Sequence, residues 1–270
     1  MNEALRVRVQ GIALLGPGLD GWDLAAPRLA DPALWQRAPT AAPAPTLLPA
    51  TERRRAGLVV KASVAVAEAA CQAAGIAPDR PATVFASSTG DPLVCHQLCE
   101  ALATPERLVS PTRFTNSVHN VAAGYWHIAT HSMQASTSLG AFDASAGAGL
   151  LEAAAQAVHG RQPVLLVACD VPYPEPLHTL RPLADTVAVA LLLVPADSAT
   201  NTTTGRRLSL TLAGDAAATP CRDAGLEALR TQVPAARLLP LLQLLAAPAA
   251  GGCVIEGLPG AALALQVDAA

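Results

Sequence analysis

The sequence has few aromatic and few charged residues. Only 3% of its 270 residues are Phe, Trp or Tyr, and 14% are Asp, Glu, Lys or Arg, whereas about a quarter is usual for the charged residues of a soluble domain. Hydrophobic residues still make up 51%, so the core must consist mainly of Ala, Leu and Val. A chain this apolar either buries much of itself or covers an apolar face with a partner, and we favour a partner.

Three further absences restrict the possible functions. The net charge is −3 and no stripe of Lys or Arg is present, so nothing points to nucleic acid. The densest basic run, Arg53-Arg54-Arg55, is interpreted as the solvated face of a helix. Residues 1–6 lack a basic segment followed by an apolar run, and we expect no signal peptide. The most apolar stretches, 187–194 and 238–250, are too short or too interrupted by proline to span a membrane. We therefore expect a cytoplasmic protein.

Cysteine is present, but its pattern does not predict disulfides or a metal site. Disulfides are rare in cytosolic proteins. Cys95-His96-x-x-Cys99 looks like a pair of metal ligands, but a zinc site needs about four donors and no second pair has a suitable spacing. We interpret these two cysteines as buried helix thiols and expect no metal and no cofactor. The six cysteines are Cys71, Cys95, Cys99, Cys169, Cys221 and Cys253.

Strand patterns alternate with helix patterns along the chain, which indicates an α/β layered fold. Residues 186–194 contain no polar residue after Thr186 and predict a central strand that is buried on both faces. An Ala/Pro-rich linker is expected at 39–49, and a helix at 51–74 with Thr51 as N-cap and Gly75 as the C-terminal stop. Further strands are predicted at 5–15, 82–86, 135–139, 164–168, 208–212, 253–255 and 263–267, and further helices at 91–103, 119–132, 144–159 and 235–245.

Residues 110–152 carry most of the functional information. They read as a polar loop, a helix that opens with Ala122-Ala123-Gly124, a strand of small residues at 135–139, a turn at 140–143 and a helix rich in Ala and Gly. A strand that turns sharply into a helix of small residues is how several enzyme folds present a nucleophile. In this chain the turn carries Asp143.

The spacing of Ser110-Pro111, Asn120 and Ala123-Gly124 resembles that of the β-ketoacyl synthases of the thiolase superfamily. Counting on without a gap places the nucleophilic cysteine of that family at Asp143. The segments 110–114, 116–120, 149–153 and 172–177 are most similar to the short synthase-like proteins called chain length factors, especially those of aryl polyene-type pathways. The resemblance implies a thiolase-like layered fold of the αβαβα type. It also implies one domain over 1–270, with a synthase-like half at about 1–195 and a shortened second half at about 196–270.

The same resemblance implies that the chain does not catalyse condensation. Condensing enzymes of this family need a thiolate to hold the acyl group and two histidines in the second half of the chain. The helix dipole stabilises a carboxylate at Asp143 as it would a thiolate, but a carboxylate is a poor acyl carrier. In addition, no histidine follows His178. We interpret Asp143 as a degenerate nucleophile position that serves as a helix N-cap.

The resemblance implies instead a heterodimer with an active ketosynthase and, through it, contact with an acyl carrier protein. Family members dimerise through the strand before the nucleophile turn, and the loop before it reaches toward the acyl pocket of the other subunit. The candidate dimer strand is Ala135, Ser136, Thr137, Ser138 and Leu139. The residues expected to close the partner's acyl tunnel, and so to limit a polyketide or polyene chain, are Arg113, Phe114, Asn116, Val118 and His119.

Two alternatives remain open on sequence grounds. Asp143-Ala144-Ser145-Ala146-Gly147 resembles G-x-S-x-G without its first glycine, which would suit a stand-alone acyl-thioester hydrolase or acyltransferase using Ser145. The later histidines, His159 and His178, are poorly spaced for the triad that such a hydrolase needs. The other alternative is a homodimer that binds acyl chains or acts as a scaffold.

Overall fold

An eight-stranded mixed sheet forms the centre of the computed structural model, which describes residues 4–197 and 205–270. The strand order across the sheet is β3-β2-β4-β5-β1-β6-β8-β7. Strand β2 is parallel to β3 and β4, and the other neighbouring pairs are antiparallel. The strands are β1 Leu5–Leu15, β2 Ala82–Ala86, β3 Ser136–Leu139, β4 Val164–Asp170, β5 Val187–Pro195, β6 Arg206–Leu212, β7 Gly251–Leu258 and β8 Ala261–Val267.

Helices cover both faces of this sheet. Two longer helices, Leu58–Ala74 and Ser145–Gly160, pack against the middle strands. The helices are α1 Trp22–Ala30, α2 Ala50–Arg55, α3 Leu58–Ala74, α4 Pro92–Ala103, α5 Pro111–Asn116, α6 Val121–Thr130, α7 Ser145–Gly160, α8 Leu177–Leu180, α9 Ala224–Gln232 and α10 Leu239–Ala246. Among the described residues, no helix is both long enough and apolar enough to cross a bilayer.

Strand β5 divides the core in two, as its apolar sequence predicts. Its side chains point alternately to opposite faces of the sheet. Val189 and Leu191 belong to the core on the α7 side, whereas Ala190 and Leu192 belong to the core on the α3 side. All four are fully buried, so the prediction of a central strand buried on both faces is confirmed.

Glycine permits the close approach of α3 to the sheet. A β-carbon at Gly11, in β1, would lie 2.1 Å from the carbonyl oxygen of Ala70 in α3. Gly75 ends the same helix in the left-handed region, with φ of 66°, where glycine carries no steric penalty. The predicted stop signal at Gly75 is confirmed.

The predicted helix at 51–74 is wrong in one respect, because the structure divides it into α2 and α3. A β-carbon at Gly57 would lie 1.9 Å from Oδ2 of Asp91, so a residue without a side chain lies against this carboxylate at the break. Thr51 lies inside α2 and is not its N-cap. Local sequence gives no sign of this close contact between residues 57 and 91.

The segment at 110–116 is not a loop. Ser110 accepts a hydrogen bond at its Oγ from the backbone N–H of Arg113, and Pro111 occupies the first helical position of α5. Both residues suit a helix start, and the signal was missed because the helix is so short. The helices α1 and α9 were also not predicted.

Candidate functional site

The candidate site is the turn that joins β3 to α7. A single turn of 3-10 helix, Phe142–Ala144, connects the two elements. Ser145, the first residue of α7, holds this turn closed, since its Oγ accepts from the N–H of Ala141 at 2.9 Å and donates to the carbonyl oxygen of Phe142 at 2.7 Å. Phe142 lies between these two bonds with φ of 52°, which is a costly conformation for a bulky side chain.

Asp143 in this turn is held by two arginines. Its Oδ1 accepts from Nη2 of Arg181 at 2.7 Å, and its Oδ2 lies 3.1 Å from Nη2 of Arg237. The predicted N-cap role is therefore wrong. The residue before α7 is Ala144, which offers no side-chain cap, and both carboxylate oxygens of Asp143 are directed to guanidinium groups from distant parts of the chain.

The ion pairs continue from Arg237 to the C-terminal part of the chain. Its Nη1 lies 2.9 Å from Oε2 of Glu256 in β7, and Oε1 of Glu256 lies 3.0 Å from Nη1 of Arg230 in α9. Nη2 of Arg230 in turn donates to Oε1 of Glu227 at 2.7 Å. Three carboxylates and three guanidinium groups thus alternate and balance in charge, which a poorly solvated cluster requires.

The protonation behaviour of the cluster agrees with this arrangement. The side-chain hydrogen bond to Glu227 raises the pKa of the Arg230 guanidinium, and the same bond lowers the pKa of the Glu227 carboxyl. Of the ion pairs in this cluster, only Glu227–Arg230 could be predicted from the sequence, because its i,i+3 spacing places both side chains on one face of a helix. The other pairs join separate elements, so reasoning from the sequence missed them.

No thiol takes the place of a nucleophile at this turn within the described residues. Burial raises the pKa of Cys169 to about 12, and Cys71, Cys221 and Cys253 are also buried. Cys99 is exposed and Cys95 is only partly buried, so the prediction that this pair consists of buried thiols is wrong. Both lie on α4, whose side chains are mostly accessible.

Ser145 offers little to a hydrolase. Its side chain is 1% exposed, and its hydroxyl is engaged by Ala141 and Phe142 as described above. Within the described ranges, neither His159 nor His178 hydrogen-bonds to it. A serine nucleophile needs an adjacent base and an accessible Oγ. The hydroxyl of Ser145 instead stabilises the turn through its two hydrogen bonds to the backbone.

Strand β3 forms one edge of the sheet. The carbonyl oxygens of Ala135 and Leu139 accept from the N–H groups of Thr83 and Ser87 at 3.0 and 3.2 Å. Because backbone groups alternate in direction along a strand, those of Ser136 and Ser138 point away from β2. Ala135 itself lies just before the strand. The predicted strand at 135–139 thus ends the sheet with an open edge.

The five residues expected to face an acyl tunnel divide into two groups. Arg113, Phe114 and Val118 are exposed, with Phe114 at 67%. Asn116 is buried, where its Nδ2 donates to the carbonyl oxygen of Arg55 at 3.4 Å. The ring of His119 places Nε2 3.0 Å from the carbonyl oxygen of Ser87. The hydrogen bonds of Asn116 and His119 fix the segment to its surroundings, although His119 is itself exposed. Arg113, Phe114 and Val118 are available for contact.

An apolar groove of ≈ 400 Å³ lies beside the turn. The end of β3, the first turns of α7 and the hairpin of β7 and β8 form its walls. Among the residues that the structure describes, Glu152 has the only charged side chain on its walls. The large apolar side chains that line it are Leu139, Leu151, Leu258 and Leu263.

Comparison with known proteins identifies relatives of the whole chain. The family model described as beta-ketoacyl synthase, N-terminal domain, matches residues 28–237. A search of curated proteins finds no match.

Several solved structures superpose on the chain over its full length. A chain of the ketosynthase (ApeO) in complex with its chain length factor (ApeC) from Xenorhabdus doucetiae is 21% identical, with a TM-score of 0.72, and the match covers 96% of this chain and 98% of that one. A chain of the ishigamide ketosynthase/chain length factor is 14% identical, with a TM-score of 0.70 and coverage of 97% and 99%. A chain of the AntDE:AntF complex, a type II PKS acyl-carrier protein with its ketosynthase, is 13% identical, with a TM-score of 0.74 and coverage of 100% of both chains.

At these identities the structural matches establish the fold. The thiolase-like layered α/β fold predicted from residues 110–152 is confirmed by the family match and by the superpositions. The chain spans nearly the full length of each of these three relatives.

Proposed function

The chain belongs to the β-ketoacyl synthase family, and from this membership we propose that it is the non-catalytic, chain-length-factor-type subunit of a ketosynthase heterodimer. The solved relatives include a ketosynthase in complex with its chain length factor and a ketosynthase in complex with an acyl-carrier protein. An active ketosynthase is the proposed direct partner of this chain, and an acyl carrier protein reaches it through that partner.

The observation that carries this proposal is the engagement of Asp143 by Arg181 and Arg237. The turn holds a residue that cannot form the thioester of a condensing enzyme. Its carboxylate forms ion pairs with two guanidinium groups, so it is committed to a structural role. The geometry of a nucleophile turn is kept, and its acyl-carrying chemistry is absent.

The open edge of β3 supports pairing with a second synthase-like subunit. Unpaired N–H and C=O groups on an edge strand form a template for another strand. In the proposed heterodimer, Ser136 and Ser138 contribute these groups to a strand of the ketosynthase, and the sheet continues from one subunit into the other.

The proposed contribution to chain length rests on the exposed residues of 110–119. Arg113, Phe114 and Val118 extend from a segment that Asn116 and His119 fix in place. A rigid segment with accessible apolar side chains is suited to line a cavity of the partner. Each two-carbon extension needs additional space there, so the bulk of Phe114 would limit the product length.

Co-purification tests the pairing. The chain is expressed together with the ketosynthase encoded beside its gene and analysed by size exclusion with light scattering, and a 1:1 complex is expected. Ser138→Pro should abolish the complex, because proline removes an outward N–H while leaving the bonds to β2 intact. Ser138→Ala is the matched control and should retain it. Separate elution of the two wild-type proteins would refute the heterodimer.

Product analysis tests the tunnel. In a reconstituted pathway, Phe114→Ala should lengthen the product by at least one two-carbon unit, as read by mass spectrometry. An unchanged product from an intact complex would favour a scaffold role.

Incubation of the chain alone with acyl-carrier-protein thioesters, followed by intact-mass measurement, should give no adduct, whereas an adduct would support an acyltransferase.

A further inference from the structure

Phe142 combines three properties that are seldom found together. Its backbone lies in the left-handed region, its ring is 65% exposed, and the Arg181 guanidinium stacks over that ring with Cζ 3.5 Å from the centroid. A strained backbone persists only where its surroundings over-determine it. The Arg181 contact uses one face of the ring, and the exposed remainder is held in a fixed position that suits contact with another molecule.

The surroundings of Phe142 fix both its backbone and its ring. Ser145 bonds to the backbone at Ala141 and at Phe142. Arg181, which covers one face of the ring, is itself fixed by Asp143 at 2.7 Å. The ring is therefore pre-organised, and a contact made through it would cost little conformational entropy.

The Asp143 carboxylate also balances the positive charge of the Arg181 guanidinium, with Oδ1 and Nη2 2.7 Å apart. The second oxygen of this carboxylate pairs with Arg237, which pairs in turn with Glu256. The accessible part of this surface is then the free part of the Phe142 ring together with nearby apolar side chains. Leu180, the last residue of α8 and the neighbour of Arg181, is 83% exposed. A complementary surface should be an apolar socket rather than an acidic one.

The position in the fold indicates which molecule supplies that socket. Phe142 follows Leu139, the last residue of the open edge strand, by only three positions. A subunit that pairs with β3 would therefore lie next to the short segment that carries Phe142. Buried aromatic side chains and arginines near the centre of an interface supply much of the binding energy of protein complexes.

We propose that Phe142, clamped by Arg181 and Asp143, is the anchor residue that this chain inserts into an apolar socket of its ketosynthase partner. The inference rests on the proposed heterodimer and deepens it. It assigns the dominant side-chain contact to the degenerate nucleophile turn itself. The Asp143 cluster then has a purpose beyond replacing a nucleophile, since it holds the anchor in position.

The test measures the affinity of the purified full-length chain for the ketosynthase by titration calorimetry or biolayer interferometry. Phe142→Ala should weaken binding about tenfold or more, as hot-spot truncations do. Arg181→Ala should also weaken it, and the double variant should lose less than the sum of the two, because both side chains serve one contact. Leu212→Ala is the matched control, since Leu212 is 47% exposed on β6, five strands from β3 in the sheet order.

The outcomes separate this inference from the heterodimer on which it rests. If the wild-type chain does not bind the ketosynthase, the heterodimer fails. If it binds and Phe142→Ala, shown to be folded by circular dichroism, changes the affinity by less than about threefold, the anchor is wrong while the heterodimer stands. Loss of affinity in Leu212→Ala as large as that in Phe142→Ala would also overturn the anchor. Any loss of threefold or more that is confined to the two variants at the turn supports it.

Discussion

Gly147 in α7 and Glu256 in β7 are in direct backbone contact: a β-carbon on Gly147 would lie 2.1 Å from the carbonyl oxygen of Glu256. The helix that follows the turn at 140–144 is thereby packed tightly against the C-terminal hairpin. The same residue, Glu256, carries the ion pairs that lead to Asp143. The turn is thus held to the hairpin by close packing and by charge.

Replacing this glycine should destabilise the protein. Gly147→Ala forces α7 and β7 apart, and overpacking of this kind costs about 1–3 kcal/mol. The free energy of unfolding in urea is the measurement. Gly124→Ala in α6 is the matched control, because nothing lies within 4 Å of the added β-carbon and alanine favours a helix by about 0.5–1 kcal/mol over glycine. Equal stability of Gly147→Ala and Gly124→Ala would contradict the contact.

Removing the charge of Asp143 should destabilise the fold moderately. Asp143→Asn leaves Arg181 and Arg237 without their shared carboxylate, and their side chains are only 21% and 16% exposed. The Asp143 side chain is 43% exposed, so solvent screens part of the effect and we expect a loss of about 1–2 kcal/mol. Urea unfolding measures it, with Glu106→Gln in an exposed loop as the control. A neutral result for Asp143→Asn would show that the ion pairs do not stabilise the turn.

Asp170 at the end of β4 should make the stability of the protein dependent on pH. Burial raises the pKa of this carboxyl to about 6, although Ser88 donates to it from both its N–H and its Oγ. The folded state therefore binds this proton more tightly than the unfolded state, whose carboxyl titrates near its usual value of about 3.9. Ionisation of Asp170 then lowers stability as pH rises from about 4 to about 6, by about 2–3 kcal/mol in total.

The comparison with Asp170→Asn isolates this contribution. The asparagine retains an acceptor for Ser88 but does not titrate. The free energy of unfolding of the wild type minus that of the variant should fall between pH 4 and pH 6 and then stay constant to pH 8. A difference that does not change with pH would show that Asp170 has an ordinary pKa.

The cysteines should react with alkylating reagents in a defined order. Cys99 is exposed, whereas burial raises the pKa of Cys71, Cys169, Cys221 and Cys253 to about 12. Burial also raises the pKa of the partly buried Cys95. Only the thiolate reacts readily. Iodoacetamide at neutral pH should therefore add one group rapidly to the native chain, and Cys99→Ser should remove that addition. Rapid modification of several sites in the native protein would contradict the burial of these thiols.

The parts of the fold that the sequence predicts are those with a strong local signal. The uninterrupted apolar run of β5 and the Gly75 stop of α3 both act within a few residues, and both are confirmed. The strand at 135–139 was also predicted from its own residues and their resemblance to a family. Local patterns are sufficient where one interaction dominates the conformation.

Several features that the sequence does not predict depend on contact between residues far apart in the chain. Gly57 lies in close contact with Asp91. The role of Asp143 depends on Arg181 and Arg237. An aspartate before a helix is a good N-cap by local preference, but two arginines compete for the same carboxylate. No spacing rule finds pairs of this kind, so the cluster around the turn emerged only from the structure.

The open edge of β3 has a consequence for how the protein is made. A strand that leaves its outer backbone groups without partners invites pairing with any other exposed strand, including that of an identical chain. Newly synthesised subunits should therefore be less prone to this unwanted strand pairing when the proposed ketosynthase partner is present. At high concentration the purified chain should therefore self-associate through this edge, and addition of the proposed ketosynthase partner should reduce that self-association.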